Sequence, residues 1–293
     1  MPTGPDLEVS VIIPTYGRNK VLTETIASLL GQKDSKREIL IVDQTRTHET
    51  VTQSILHEWS DTGAIVWVKC ERPSVTAAMN IGLQKARGRI VLFLDDDIEP
   101  DSDLIASHLE GHRQGDYMVV AGRVIQPWDQ NERTPFFSTC SKQVDEFMGG
   151  NFSVNRKYAI SLGGFDQNFR FAAYQFERDF ADRVRADGGR ILYWPSAVIN
   201  HLKTEKGGVR SYGDHHTTWR PGHSLGAYYY IQKSGSGRLK KIVQRLSTSI
   251  VTRFHLTHPW YVPVTLVAEI SGLILAGILW RRGPQLITQH IEI

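Results

Sequence analysis

The chain has 293 residues, 41% of them apolar, which is enough to core one large α/β domain with or without a helical appendage and excludes a disordered or fibrous chain. Its 34 Lys and Arg against 31 Asp and Glu leave a net charge of +3, too balanced to argue for a nucleic-acid partner, although the basic residues thicken toward the C-terminus. Two cysteines, Cys70 and Cys140, make no disulfide framework, and Met1 to Asp6 has neither a basic nor an apolar leader character, so a cytoplasmic location is expected.

Val9 to Pro14 is an apolar run stopped by proline and predicts a buried first strand, after which Val21, Leu22, Ile26, Leu29 and Leu30 give Asn19 to Leu30 helical spacing. Glu38 to Val42 predicts a second strand ending at Asp43, Ile65 to Val68 a third, Val75 to Ala86 a helix closed by Gly88, and Ile90 to Leu94 a fourth strand. Strands alternating with helices in this way predict a parallel sheet covered on both faces. Ligands of such sheets collect at the carboxyl ends of the strands, where Pro14 to Tyr16, Asp43 and Asp95 to Asp97 fall.

The fourth strand delivers three carboxylates to one place. In an extended chain residues two apart share a side, so Asp95 and Asp97 converge on one divalent cation while Asp96 faces away from it. A cation bridging to a diphosphate removes the repulsion that three neighbouring aspartates otherwise suffer. A solvated acidic turn is the competing reading. No G-x-x-x-x-G-K-[ST] stretch occurs, which excludes a P-loop ATPase.

Met118 to Val124 predicts another strand, and Gln126 to Val144 an irregular insertion whose Trp128, Phe136 and Phe137 either line a pocket or pin the loop. Gly149 to Val154 returns to strand character, Phe176 to Ala186 is helical, and Ile191 to Trp194 and Ala197 to Asn200 predict two further short strands. Lys203 to His223 is polar and glycine-bearing, as befits an ordered loop or lid, and its His215, His216 and His223 lack the cysteines of a zinc site, so they are expected over the ligand site as loop residues. Arg238 to Phe254 predicts an amphipathic helix with a basic face. Val264 to Trp280 is apolar but interrupted by Thr265, Glu269 and Ser271, short of the ~20 clean residues of a membrane span. Residues 238–282 therefore predict a peripheral membrane contact, or packing on the domain or on a second subunit of a homo-oligomer.

In order along the chain, Val11 to Arg18, Glu38 to Asp43, Ala77 to Gly82 with Ala86 to Gly88, Val91 to Asp97, Gly163 to Asp166 and Tyr193 to His201 resemble the family 2 glycosyltransferases. The resemblance covers roughly the first two thirds of the chain. It implies a GT-A fold of the α/β class, with a mostly parallel central sheet and flanking helices. The nucleotide-binding half would run to about residue 125 and the acceptor half over 126–203, with a lid loop and helices over 204–293. The implied reaction moves a sugar, with inversion, from a nucleotide-diphosphate donor to a hydroxyl of a glycan or glycolipid acceptor. Such transferases work in cell-surface polysaccharide or glycolipid synthesis, in the cytoplasm or on the cytosolic membrane face.

The same resemblance sets Pro14, Thr15, Tyr16, Arg18, Asp43, Asn80, Asp95, Asp96 and Asn151 against the nucleotide sugar, and Asp95, Asp97 and His201 around Mn²⁺ or Mg²⁺. Asp43 would accept from the base; as a plain residue it would cap a helix. Asp43-Gln44-Thr45 stands where relatives often carry two acids and a glycine. Glu177 falls on the position of the general base, with Asp179 a second candidate; both acids also suit a helix N-terminus by its dipole. The alternative is a catalytically silent nucleotide-sugar-binding or scaffold protein of a membrane-associated glycan assembly, for which the change to Phe176-Glu177 speaks.

Overall fold

The computed structural model describes residues 7–33, 36–126, 138–202, 204 and 207–288. Val9–Thr15 (β1), Arg37–Asp43 (β2), Val66–Lys69 (β3) and Ile90–Leu94 (β4) form a parallel sheet in the order β3-β2-β1-β4. The Val, Ile and Leu runs of β1, β2 and β4 are buried on both faces, as a sheet clad by helices requires, and the edge strand β3 is only half-buried. Lys20–Leu30 (α1) and Val75–Lys85 (α3) provide cladding where the spacing predicted it. In this half of the chain two helices escape the sequence reading. Thr50–Asp61 (α2) buries only Thr52 and Leu56, too few apolar positions to register a period, and Leu104–Arg113 (α4) buries Leu104, Ile105, His108 and Leu109 across a stretch broken by Ser, Glu and Gly.

Antiparallel pairing enters beyond β4. The same sheet continues through Asn151–Asn155 (β8), Val119–Ile125 (β6), Ile191–His201 (β9) and Ile98–Pro100 (β5), with Lys142–Val144 (β7) on β9. The two short strands expected around Pro195 are one strand. Its register against β6 slips between Gly122 and Arg123, so that Trp194 pairs Gly122 and Val198 pairs Arg123, and the irregularity absorbs the proline. Trp128, Phe136 and Phe137 of the insertion lie outside the described residues.

Arg156–Ser161 (α5) and Phe176–Ala186 (α6) cover the second half, and Leu225–Lys233 (α7), Arg238–Ile250 (α8), Arg253–Thr257 (α9) and Val262–Arg282 (α10) follow. The amphipathic helix expected to reach Phe254 stops at Ile250, because Thr252 caps a new helix by accepting from the His255 N–H. The segment after residue 203 does not stand apart. Tyr228 and Tyr229 of α7, with Ala276 and Leu279 of α10, join one core with Phe165, Phe169 and Phe180. Gly272 lets α10 approach α7: a Cβ there would lie 2.1 Å from Ser224 Oγ, which donates to the Ala268 carbonyl at 2.8 Å. Pro259–Arg282, 24 residues that include an 18-residue stretch with a mean hydropathy of 2.1, is long and apolar enough to cross a membrane by length and composition, correcting the expectation that it falls short. In the fold its Glu269 is buried and ion-paired with Arg245 at 3.1 Å.

Between α4 and the sheet, His108 bridges Ser153 Oγ (3.0 Å) and Asn151 Oδ1 (2.8 Å). Burial holds its imidazole down to about 4. The folded protein thus keeps His108 neutral while an unfolded chain takes up a proton below its ordinary value near 6.5. The associated stability, about 3 kcal/mol, is present above pH 6.5 and is lost as pH falls toward 4. Urea midpoints at pH 7 and pH 4.5 should converge more in His108→Asn than in wild type; equal slopes would contradict this role.

Candidate active site

At the carboxyl ends of β1 and β4 a cavity of about 500 Å³ opens between the two halves of the sheet. Asp95, Asp97 and His201 meet in it. β5 pairs Ile98 with His201, and the Leu202 N–H donates to the Asp97 carbonyl at 2.8 Å, so the end of β9 is held against the acidic run. His201 Nε2 lies 3.1 Å from Asp97 Oδ1 and 3.7 Å from Asp95 Oδ2, and one ligand atom from each of the three residues fits within 4.8 Å of the others. Burial alone would raise the Asp97 carboxyl, but the His201 hydrogen bond and the Arg18 charge outweigh it and hold it below the usual range. Burial raises Asp95, whose side chain nevertheless remains 49% accessible from the cavity.

Asp96 turns to the other side, as alternation requires. It accepts from Thr15 Oγ1 at 2.7 Å and from Arg18 Nε at 3.1 Å, and burial pushes its carboxyl up to about 6. Arg18 reaches Asp97 Oδ2 as well, at 2.9 Å, and Thr204 of the loop after β9. It lines the cavity with Pro14, Thr15 and Tyr16. The loop folds back over this end: the Gly208 N–H donates to the Tyr16 carbonyl at 2.8 Å, and Arg210 and Tyr212 form part of the wall.

Glu177 enters from the first turn of α6. Burial raises its carboxyl to about 7, against the hydrogen bond from the Gly149 backbone, and the Asp95 charge adds to the rise. A pair of glycines makes room for both acids. A Cβ on Gly149 would lie 2.8 Å from Glu177 Oε1, and one on Gly150 only 2.1 Å from Asp95 Oδ2. The approach to Glu177 is strained: Phe171, Ala173 and Gln175 hold φ of 60°, 52° and 76° without being glycine, and Phe171 and Gln175 face the cavity.

Other expected site residues are set back from this cavity. Asp43 is buried with both oxygens taken, Oδ1 by the Thr45 N–H (2.8 Å) and Oδ2 by His48 (2.8 Å), Trp67 (3.0 Å) and Lys69 (3.0 Å). Burial opposes ionisation, yet these donors hold it down to about 2; its neighbour Gln44 reaches the cavity instead. Asn80 closes a two-point hydrogen bond with the Phe165 backbone, at 2.7 and 2.8 Å. Asn151 is consumed by His108 and the carbonyls of Arg123 and Ala197. Asp179 points into the core, 2.5 Å from Lys233 and 3.1 Å from Arg183. The His215 and His216 rings lie against each other at a tilt, 3.7 Å between centroids, and His216 likewise against Phe254 at 4.8 Å, so they pack toward α9 and not over the cavity; His223 approaches its wall, at Tyr174. Sequence reasoning missed Gln44, Tyr174, Gly149 and Gly150. The glycine pair was the legible signal, since two glycines entering a buried strand mark a close approach.

With this geometry in view, the family profile of glycosyl transferase family 2 matches residues 10–176. The chain is 30% identical over 118 residues to an uncharacterized glycosyltransferase, YfnE, of Bacillus subtilis, covering 40% of this chain and 30% of that protein. It is 23% identical over 219 residues to the glucosyl-dolichyl phosphate glucuronosyltransferase of Haloferax volcanii, covering 67% of this chain and 69% of the relative. Among solved structures, the mannosyltransferase PcManGT from Pyrobaculum calidifontis, in complex with GDP-Man and Mn²⁺, superposes with a TM-score of 0.57 at 21% identity, over 94% of this chain and 79% of that one. That likeness shows the GT-A fold. The family match spans more than half of the sequence, through the acidic run to the start of α6, and the chain belongs to glycosyl transferase family 2.

Proposed function

We propose that the protein is a metal-dependent inverting glycosyltransferase, moving a sugar from a nucleoside-diphosphate donor to a hydroxyl of a lipid-carried or polysaccharide acceptor at the cytosolic membrane face. The observation that carries this reading is one cavity holding both a cation-type cluster, Asp95, Asp97 and His201, and a separate carboxylate, Glu177, whose proton affinity is set near neutrality. Two carboxylates and an imidazole suit Mn²⁺ or Mg²⁺. Asp95 keeps its side chain open to the cavity, so the cluster is reachable by a diphosphate. When bound, such an ion offsets the charge that develops on the departing nucleoside diphosphate.

The chain's own residues supply the rest. Pro14, Thr15 and Tyr16 wall the end of the cavity where the nucleoside would lie, with Gln44 as an amide to read its base. Arg18 holds Asp96 and Asp97 in place. Glu177 takes the proton of the acceptor hydroxyl, for which a carboxylate with a value near 7 is well matched at neutral pH. A silent binder needs no such base. The lipid-linked acceptor rests on the substrate named for the Haloferax volcanii relative and the cation on the Mn²⁺ of the mannosyltransferase complex.

Thermal unfolding against UDP-, dTDP-, GDP- and CDP-sugars, with and without Mn²⁺, tests the donor site. One nucleotide class should stabilise the wild type only with metal, by about 3 kcal/mol at a hundredfold excess over Kd. Asp97→Asn should lose that increment. Metal-independent stabilisation, or none with any donor, would defeat the reading.

A further inference from the structure

α8 and α10 lie side by side and antiparallel. Arg238 at the start of α8 stacks over the Trp280 ring at the end of α10 (4.7 Å), and Arg245, two turns on, pairs with Glu269, three turns earlier in α10. α10 turns Thr265, Ala268, Glu269, Gly272 and Ala276 inward. Opposite that stripe Val267, Ile270, Ile274 and Ile278 are exposed along one face at three- and four-residue intervals. α8 adds Leu239, 76% exposed, and Val243, and the connection between the helices adds Leu256 and Trp260. Apolar side chains exposed together along one face in this way mark an interaction surface.

The charge around it says which. Every charged side chain between residues 225 and 282 is Lys or Arg except Glu269, and that acid is buried against Arg245. The whole chain carries only +3, so the remainder is net negative and the positive charge is concentrated on this region. Lys240, Lys241, Arg253, Arg281 and Arg282 are exposed around the apolar stripe. A two-fold contact between copies would set these cations against their own images. An anionic bilayer accepts both the apolar side chains and the cations.

We propose that the outer face of α8 and α10 docks peripherally on anionic lipid. The inner stripe of α10, with its buried Glu269–Arg245 pair, stays on the domain, so the helix lies along the surface and does not cross it. The inner side of the same helix pair reaches the cavity wall. Arg245 Nη2 lies 3.5 Å from the His223 carbonyl, the His223 ring is 5.8 Å from that of Tyr174, and Tyr174 lines the cavity. An acceptor carried in the bilayer would reach the site from the docked face, a consequence that rests on the transfer reading, whereas the docking itself does not.

Flotation of the full chain with phosphatidylcholine vesicles, and with vesicles of phosphatidylcholine and phosphatidylglycerol, tests the proposal. The protein should float with the mixed vesicles only, and added salt should release it. Lys240→Glu with Lys241→Glu should weaken binding by at least roughly 30-fold, from about fivefold per basic side chain near an anionic surface. Ile270→Ser with Ile274→Ser should weaken it while leaving the unfolding temperature unchanged, since both side chains face outward. Equal binding to both vesicles, or none, would overturn the proposal. So would retention in cell membranes through alkaline carbonate, which marks a span, or a dimer in sedimentation that the Ile270 and Ile274 changes dissolve. Asp97→Asn should float like wild type, so failure of the donor site and failure of the docking face give different results.

Discussion

Glu177→Gln should lower the transfer rate by 10²- to 10⁴-fold, about what a positioned general base contributes, while the metal-dependent stabilisation by donor persists. Gln keeps the size of the side chain and its place over Gly149 but cannot take a proton. The pH profile separates this role from mere packing. In the protein without ligands burial holds Glu177 near 7, with the Asp95 charge pushing the same way. A cation held by Asp95 and Asp97 would offset that push, so the acidic limb of kcat/KM should lie at or below about pH 7. Below the limb the rate should fall tenfold per pH unit, because the base must be ionised to act. Glu177→Gln should be slow and flat across it. An unchanged rate, or a limb that survives the substitution, would remove Glu177 from the reaction.

The half of the fold that carries the acidic run was legible because its signals are local. β1, β2 and β4 are dominated by Val, Ile and Leu, and each gives way to a polar residue, Thr15, Asp43 and Asp95, where the chain leaves the sheet. The second half depends on register, which no window of sequence contains. His201 faces Asp97 because β5 pairs antiparallel with the end of β9, across about a hundred residues, and Pro195 looked like a strand terminus where the chain in fact bulges. For α2 and α4 the apolar positions are simply too sparse to form a stripe.

Residue type told the site's chemistry better than its geometry. Asp95, Asp97 and Glu177 reach the cavity, whereas Asp43, Asn80, Asn151 and Asp179, equally apt by type, are spent on neighbours. What distinguishes the groups is the supply of nearby donors. Asp43 meets four and Asn80 meets a backbone edge, and neither supply is visible from the position alone.

Lys233→Met should lower stability by about 3 kcal/mol, roughly 8 °C in unfolding temperature for a chain of this size. Lys233 Nζ sits between Asp166 Oδ2 (2.9 Å) and Asp179 Oδ1 (2.5 Å), and Met would leave both buried carboxylates with only their weaker partners. The lower end of the usual range applies because the lysine is partly exposed. Burial alone would raise Asp166, but Lys233 holds it below the ordinary carboxylate value near 3.8, so its contribution is present above that value and fades as pH falls beneath it. The gap between Lys233→Met and wild type should close in the same window. Asp179→Asn, which vacates the other end of the clamp, should likewise unfold early yet keep most of its transfer rate at a temperature where it is folded. Because Asp179 lies two residues after Glu177 on α6, the pair of variants decides between the two acids. Loss of turnover in Asp179→Asn with an unchanged unfolding temperature would make Asp179 the base and the clamp incidental.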